Sequence, residues 1–224
     1  RALSFQRFKL KIGFGDDVDL PNLDEICGSM TDGETLFVDA NMRWSPEDAT
    51  TQVSKLSDYG LGWIEEPIRA DEPAEAWRAL RAATATPLAG GENLRTRYEF
   101  KPFLTRRAYD IVQPDIMHCG GLTEMARICA LANACGIQVN PHVWGSPVMI
   151  AATLHLAATL PPCPPARNAQ PYLQEPVMEF DRTPSAIRDE VCAVPFDQVD
   201  SFVKVPQGAG LGIEIDEEAV RRMS

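Results

Sequence analysis

Three acidic residues recur at one position of a repeated unit. Asp39 closes the apolar run Leu36-Phe37-Val38, Glu65 closes Trp63-Ile64, and Glu92 follows Leu88-Ala89-Gly90-Gly91. They stand 26 and 27 residues apart, the length of one strand plus one helix. Acids at the same end of three successive strands can converge on one point. Hard oxygen ligands gathered in that way suit a divalent cation such as Mg²⁺. Neighbouring residues on a strand face opposite ways, so Glu65 rather than Glu66 is expected to share that face.

The composition bounds what such a site could serve. A chain of 224 residues buries a substantial core, and 45% hydrophobic with 24% charged residues is ordinary for a globular protein. The formal net charge of −11 argues against nucleic-acid or anionic-membrane partners. The six cysteines form no CxxC pair, and several lie in apolar runs, as reduced thiols of a cytoplasmic protein would. No run is long and apolar enough to span a bilayer.

The elements that must position the acids follow from the pattern. Residues 5–12 alternate apolar and polar and read as a strand carrying Lys9 and Lys11 on one face. Further strands are expected over 35–41, 61–66, 87–92, 110–115, 137–142 and 176–180. Helices are expected over 20–30, 46–59, 72–83, 98–107, 122–135 and 148–160. Ser45-Pro46-Glu47-Asp48 is a helix start, with Ser as N-cap and acids beside the positive dipole end. Pro161-Pro162-Cys163-Pro164-Pro165 opens an irregular loop, and the tail is expected to be extended with a small acidic helix at its end. No low-complexity linker interrupts residues 1–224, which read as one domain.

Strand–helix alternation argues for an α/β fold with a parallel sheet. An open doubly wound sheet puts its site at one switch point, using few strands. Here chemistry-bearing residues fall at seven successive strand ends: Lys11, Asp39, Glu65, Glu92, Asp115, His142 and Glu179. A (β/α)₈-type TIM barrel brings every strand end to a common centre, so the barrel is expected. With seven strands counted, an eighth and its helix are expected ahead of Arg1.

In order along the chain, Lys9-Leu10-Lys11, Val38-Asp39-Ala40-Asn41, Trp63-Ile64-Glu65-Glu66-Pro67, Gly90-Gly91-Glu92-Asn93, Gln113-Pro114-Asp115 and Pro141-His142-Val143-Trp144-Gly145 resemble the motifs of the enolase superfamily. The resemblance is to the barrel domain of the mandelate racemase/muconate lactonizing enzyme family and covers nearly the whole chain. It implies Asp39, Glu65 and Glu92 as Mg²⁺ ligands, with Lys11 and His142 as acid/base residues on opposite sides of a substrate. The general pattern of a Lys or His base with Mg²⁺ stabilising an ene-diolate is well known for this superfamily. Asp115 would orient His142 through its far ring nitrogen, and Lys9, Asn41 and Glu179 would contact the substrate. His118 could line the pocket. His155 reads as a helix-face histidine, and Trp144 as a packing or wall residue.

What the resemblance implies chemically is abstraction of the proton next to a carboxylate. The segments around His142, Met178-Glu179-Phe180 and Gly210-Leu211-Gly212 look closest to galactarolactone cycloisomerases, which open a sugar-acid lactone by β-elimination. An acid-sugar dehydratase or a hydroxy-acid racemase is the alternative within the family. A metal-binding barrel without catalysis is the alternative outside it. The family also carries an N-terminal capping domain over the barrel mouth, which nothing in this sequence matches. The expected partner is a small carboxylate substrate, and the sequence leaves room for a homo-oligomer.

Overall fold

The computed structural model describes residues 4–161 and 176–223. Six parallel strands, β1 (Arg7–Lys11), β2 (Thr35–Asp39), β3 (Ile64–Glu65), β4 (Leu88–Gly90), β5 (Ile111–Val112) and β6 (Gln138–Val139), form one sheet in sequential order. A helix follows each: α1 (Asp16–Ser29), α2 (Pro46–Leu56), α3 (Ala74–Ala82), α4 (Thr96–Thr105), α5 (Gly121–Ala134) and α6 (Pro147–Ala157). This is the α/β barrel architecture expected. Among the described residues no helix is long and apolar enough to cross a membrane.

Local chemistry sets the element ends. Ser45 caps α2 by accepting from the Asp48 amide at 3.1 Å, with Pro46 in the first turn. Gly60 then stops the segment at φ 62, where a Cβ would be penalised. Helix α1 starts four residues before the expected position. Its signal was hidden because Gly15 supplies no side-chain cap and Pro21 lies inside the helix. The Asp19 carboxylate instead accepts from the amides of Gly13 (2.8 Å) and Phe14 (3.1 Å), tying the helix to the end of β1.

Register explains how the interior is built. Lys11, Asp39 and Glu65 stand in one row across β1, β2 and β3, and Ala89 continues it on β4. Two residues back along the strands, Phe37 and Trp63 stack at 3.6 Å with 7° between their planes. With Ala89, Ile111 and the partly buried Val177 they make a small apolar cluster inside the barrel. The alternate residues, Leu36, Val38, Ile64 and Leu88, face the helices in the larger core with Trp77, Phe100 and Tyr109.

Gly62 is where this packing is tightest: a Cβ there would lie 2.1 Å from Cε1 of Phe37 and 2.8 Å from Cγ2 of Thr35. Gly62→Ala must displace the Phe37–Trp63 stack. It is expected to lower unfolding free energy by about 1–3 kcal/mol in a denaturant titration.

Two expectations are corrected. Residues 176–180 form no ladder with the sheet. The segment is tied by a side chain, with the Val177 amide donating to Oδ1 of Asn140 at 3.0 Å. The tail is also less extended than its glycines suggest. It holds α7 (Ala186–Glu190), an antiparallel hairpin of β7 (Gln198–Val199) and β8 (Phe202–Val203), and α8 (Glu217–Met223). The hairpin turns on Asp200 and Ser201, both at positive φ, without the Asn-Gly pair that would have announced it. The proline-rich stretch beginning at Pro161 lies, from Pro162 through Cys163 onward, outside the described residues. The five described cysteines are free thiols.

Candidate active site

Every strand of the sheet delivers a polar side chain to the carboxyl end of the barrel. From β1, the Lys9 ammonium lies 2.8 Å from Oε1 of Glu65 and 3.4 Å from Oδ2 of Asp39, and it also pairs with Glu179. Burial pulls the Lys9 pKa down, but the Glu65 and Asp39 charges more than offset this and leave it raised. Lys11, two residues on, is half exposed and sits 2.5 Å from Oδ2 of Asp39.

Asp39 is fully buried, and its other oxygen accepts from the Asn41 amide at 2.8 Å. Burial opposes its ionisation, yet Lys9 and Lys11 hold the carboxyl below the usual range. Asn41 and Met42 follow at φ 42 and 61, a left-handed turn that costs a Met about 1–3 kcal/mol. The Met42 amide repays part of that with a 2.7 Å bond to the Glu66 carbonyl. Asn41 thus engages Asp39 through its backbone, while the residue itself is exposed.

Glu65 is buried, with Oε2 accepting from Trp63 Nε1 at 3.1 Å and from Gln113 Nε2 at 2.8 Å. Glu66 was expected to face away, and it does not. Its φ of 38 turns the chain, and the Asn93 amide bonds both Glu66 oxygens (3.1 and 3.3 Å) and reaches Glu92 at 3.4 Å. Burial, then the neighbouring Glu92 charge, pushes the Glu66 carboxyl up to about 8. Glu92 itself, after β4, reaches Nε2 of His142 at 3.3 Å.

Beyond β5, Asp115 accepts at Oδ2 from Nδ1–H of His142, 2.7 Å away, and at Oδ1 from the Met117 amide at 2.6 Å. Burial opposes ionisation of Asp115, but the His142 and Met117 bonds hold its pKa below the ordinary value. This contact leaves His142 Nε2 facing Glu92 and, at 3.6 Å, Glu179. Glu179 therefore touches Lys9 from β1 and His142 after β6, joining the two edges of the sheet. His118 is exposed and donates Nδ1–H to the Glu92 carbonyl at 3.1 Å. His155 lies away from the mouth and bonds the Leu211 carbonyl at 3.1 Å, which anchors the tail. Trp144 is 72% exposed at the rim.

The structure thus brings Lys9, Lys11, Asp39, Glu65, Glu92, Asp115, His142 and Glu179 to one mouth. It does not bring Asp39, Glu65 and Glu92 onto a single point. Among the described residues no three His, Cys, Asp or Glu side chains stand at metal-ligating spacing. Asp39 and Glu65 close around ammonium groups, while Glu92 turns to the imidazole.

The donors nonetheless fit a hard cation. Even leaving out Glu66, whose carboxyl is pushed up to about 8, four carboxylates (Asp39, Glu65, Glu92 and Glu179) stand with two ammonium groups, so the mouth is rich in oxygen ligands and negative charge. Trp63, Gln113, Glu66 and Asn93 lie in the motifs quoted from the sequence but were given no role at the site. Strand alternation places Trp63 on the face of Glu65 and Gln113 on that of Asp115, which was the available signal.

Comparison with known proteins gives a consistent result. Residues 1–219 match the family described as enolase C-terminal domain-like. The D-galactarolactone cycloisomerase of Agrobacterium fabrum is 38% identical over 220 residues, covering 98% of this chain and 57% of that protein. The crystal structure of the 3,6-anhydro-D-galactonate cycloisomerase from Zobellia galactanivorans superposes with TM-score 0.87 at 31% identity, covering 99% of this chain and 59% of that one. The L-talarate dehydratase from Polaromonas sp. JS666, complexed with Mg and L-glucarate, gives TM-score 0.82 at 26% identity, covering 98% and 56%. The chain spans a little over half the length of these relatives.

Proposed function

The chain belongs to the enolase C-terminal domain-like family, and from that premise we propose that it carries the barrel of a Mg²⁺-dependent enzyme acting on sugar acids or their lactones. The reaction is removal of the proton α to the carboxylate, followed by β-elimination that opens a lactone ring. The observation that carries this reading is Glu179, whose carboxylate contacts both Lys9 and His142. It ties the strand that carries both Lys9 and Lys11 to His142, at the opposite edge of the sheet, within one small volume.

Asp39, Glu65 and Glu92 are the residues to hold the cation. When bound, it supplies Lewis-acid stabilisation of the negative charge that develops on the substrate carboxylate. Lys11 reaches the mouth from β1 and exchanges a proton with the α-carbon from that side. His142 offers Nε2 from the other side, because Asp115 engages Nδ1. One removes the α-proton while the other protonates the departing oxygen. Lys9, Glu179 and Asn41 hold the substrate's carboxylate end.

Likeness to the L-talarate dehydratase favours a second reading, in which the group lost from the β-carbon is hydroxide rather than a lactone oxygen. Isotope exchange tests both. With Mg²⁺ in D₂O, a sugar-acid or lactone panel is expected to gain deuterium at the α-carbon. Ring opening without net loss of water marks the cycloisomerase, and loss of water the dehydratase. Cation binding by calorimetry with no exchange on any acid would favour a metal-binding barrel without catalysis.

A further inference from the structure

Glu65 differs from the other mouth carboxylates in how it is held. Both of the neutral side-chain donors it receives go to the same oxygen. Trp63 Nε1–H reaches Oε2 at 3.1 Å and Gln113 Nε2–H reaches it at 2.8 Å, and all three residues are buried. Each donor is fixed in turn: the Trp63 ring by its stack on Phe37, and the Gln113 backbone by a 2.9 Å bond to the Gly90 carbonyl. Among the described residues, Oε1 meets the Lys9 ammonium, at 2.8 Å.

We propose that Trp63 and Gln113 are positioning residues that fix Glu65 so that Oε1 alone is offered to the cation. The proposal rests on the cation-dependent reading given above. Two N–H donors on one oxygen occupy its lone pairs and set the plane of the carboxylate. Neither donor is charged, so they orient Glu65 without neutralising it. Such outer donors are worth about 10–100-fold in metal affinity. A carboxylate limited to one oxygen also suits Mg²⁺, which demands near-octahedral geometry. Ca²⁺ accepts a carboxylate through both oxygens and tolerates irregular shells.

The test is calorimetric titration of the intact protein with Mg²⁺ and separately with Ca²⁺. Trp63→Phe removes one donor and keeps an aromatic ring on Phe37. Gln113→Leu removes the other at similar volume. Each is expected to weaken Mg²⁺ by about 10–100-fold and Ca²⁺ by less, so that the Mg²⁺/Ca²⁺ affinity ratio falls. Ile111→Val lies in the same interior cluster but touches no donor. It is expected to lower thermal stability and leave the ratio unchanged. Mg²⁺ affinity within twofold of wild type in every variant that folds, or a ratio that moves equally in Ile111→Val, would overturn the proposal alone. A wild-type protein that binds neither cation would overturn it together with the reading it rests on.

Discussion

Deuterium uptake at the substrate α-carbon is expected to fall by about 10³-fold or more in Lys11→Met and in His142→Ala, measured by NMR in D₂O. Positioned acid/base groups each contribute about 10²–10⁴-fold, and these two stand at opposite edges of one sheet, so neither substitutes for the other. Lys11 is half exposed with its ammonium 2.5 Å from Asp39, where a substrate can reach it. His142 is held through Nδ1 by Asp115 at 2.7 Å, which leaves Nε2 for the proposed proton transfer. Asp115→Asn is therefore expected to follow His142→Ala most of the way. An amide can donate to Nδ1 and drive the proton onto Nε2, the wrong tautomer for a base. Exchange at the wild-type rate in both Lys11→Met and His142→Ala would remove these residues from the mechanism.

Lys9→Met is expected to produce the largest loss of stability, about 3–5 kcal/mol in chelator-treated protein, read from a urea titration. That is the range for removing one partner of a buried charge network. The Lys9 ammonium answers Asp39, Glu65 and Glu179 together, and the first two have almost no access to water. Deleting it leaves those charges facing one another. Added Mg²⁺ is expected to restore part of the loss, because a cation at the same carboxylates supplies the missing positive charge. A loss below about 1 kcal/mol, the size of an exposed ion pair, would mean that solvent already screens these acids.

The strand-end acids were legible because a βα repeat converts sequence spacing into spatial adjacency. Asp39 and Glu65 are direct partners across β2 and β3. The His142–Asp115 contact was legible for the same reason, since the two residues form a parallel bridge between successive strands. Glu66 was not legible, because its direction depends on a backbone angle of 38° that alternation cannot supply. Spacing did not show which side chains these acids meet: Asp39 and Glu65 pair with ammonium groups, and Glu92 with an imidazole. The ladder expected over 176–180 failed where an Asn140 side chain, rather than a strand edge, provides the acceptor.

The stacked rings of Phe37 and Trp63, with Ala89, Ile111 and Val177 beside them, have one more effect. They lie two residues below the Asp39–Glu65 row, so on that side these two acids are backed by apolar side chains rather than water. That apolar floor holds the local dielectric low and so strengthens the ion pairs the acids form above it.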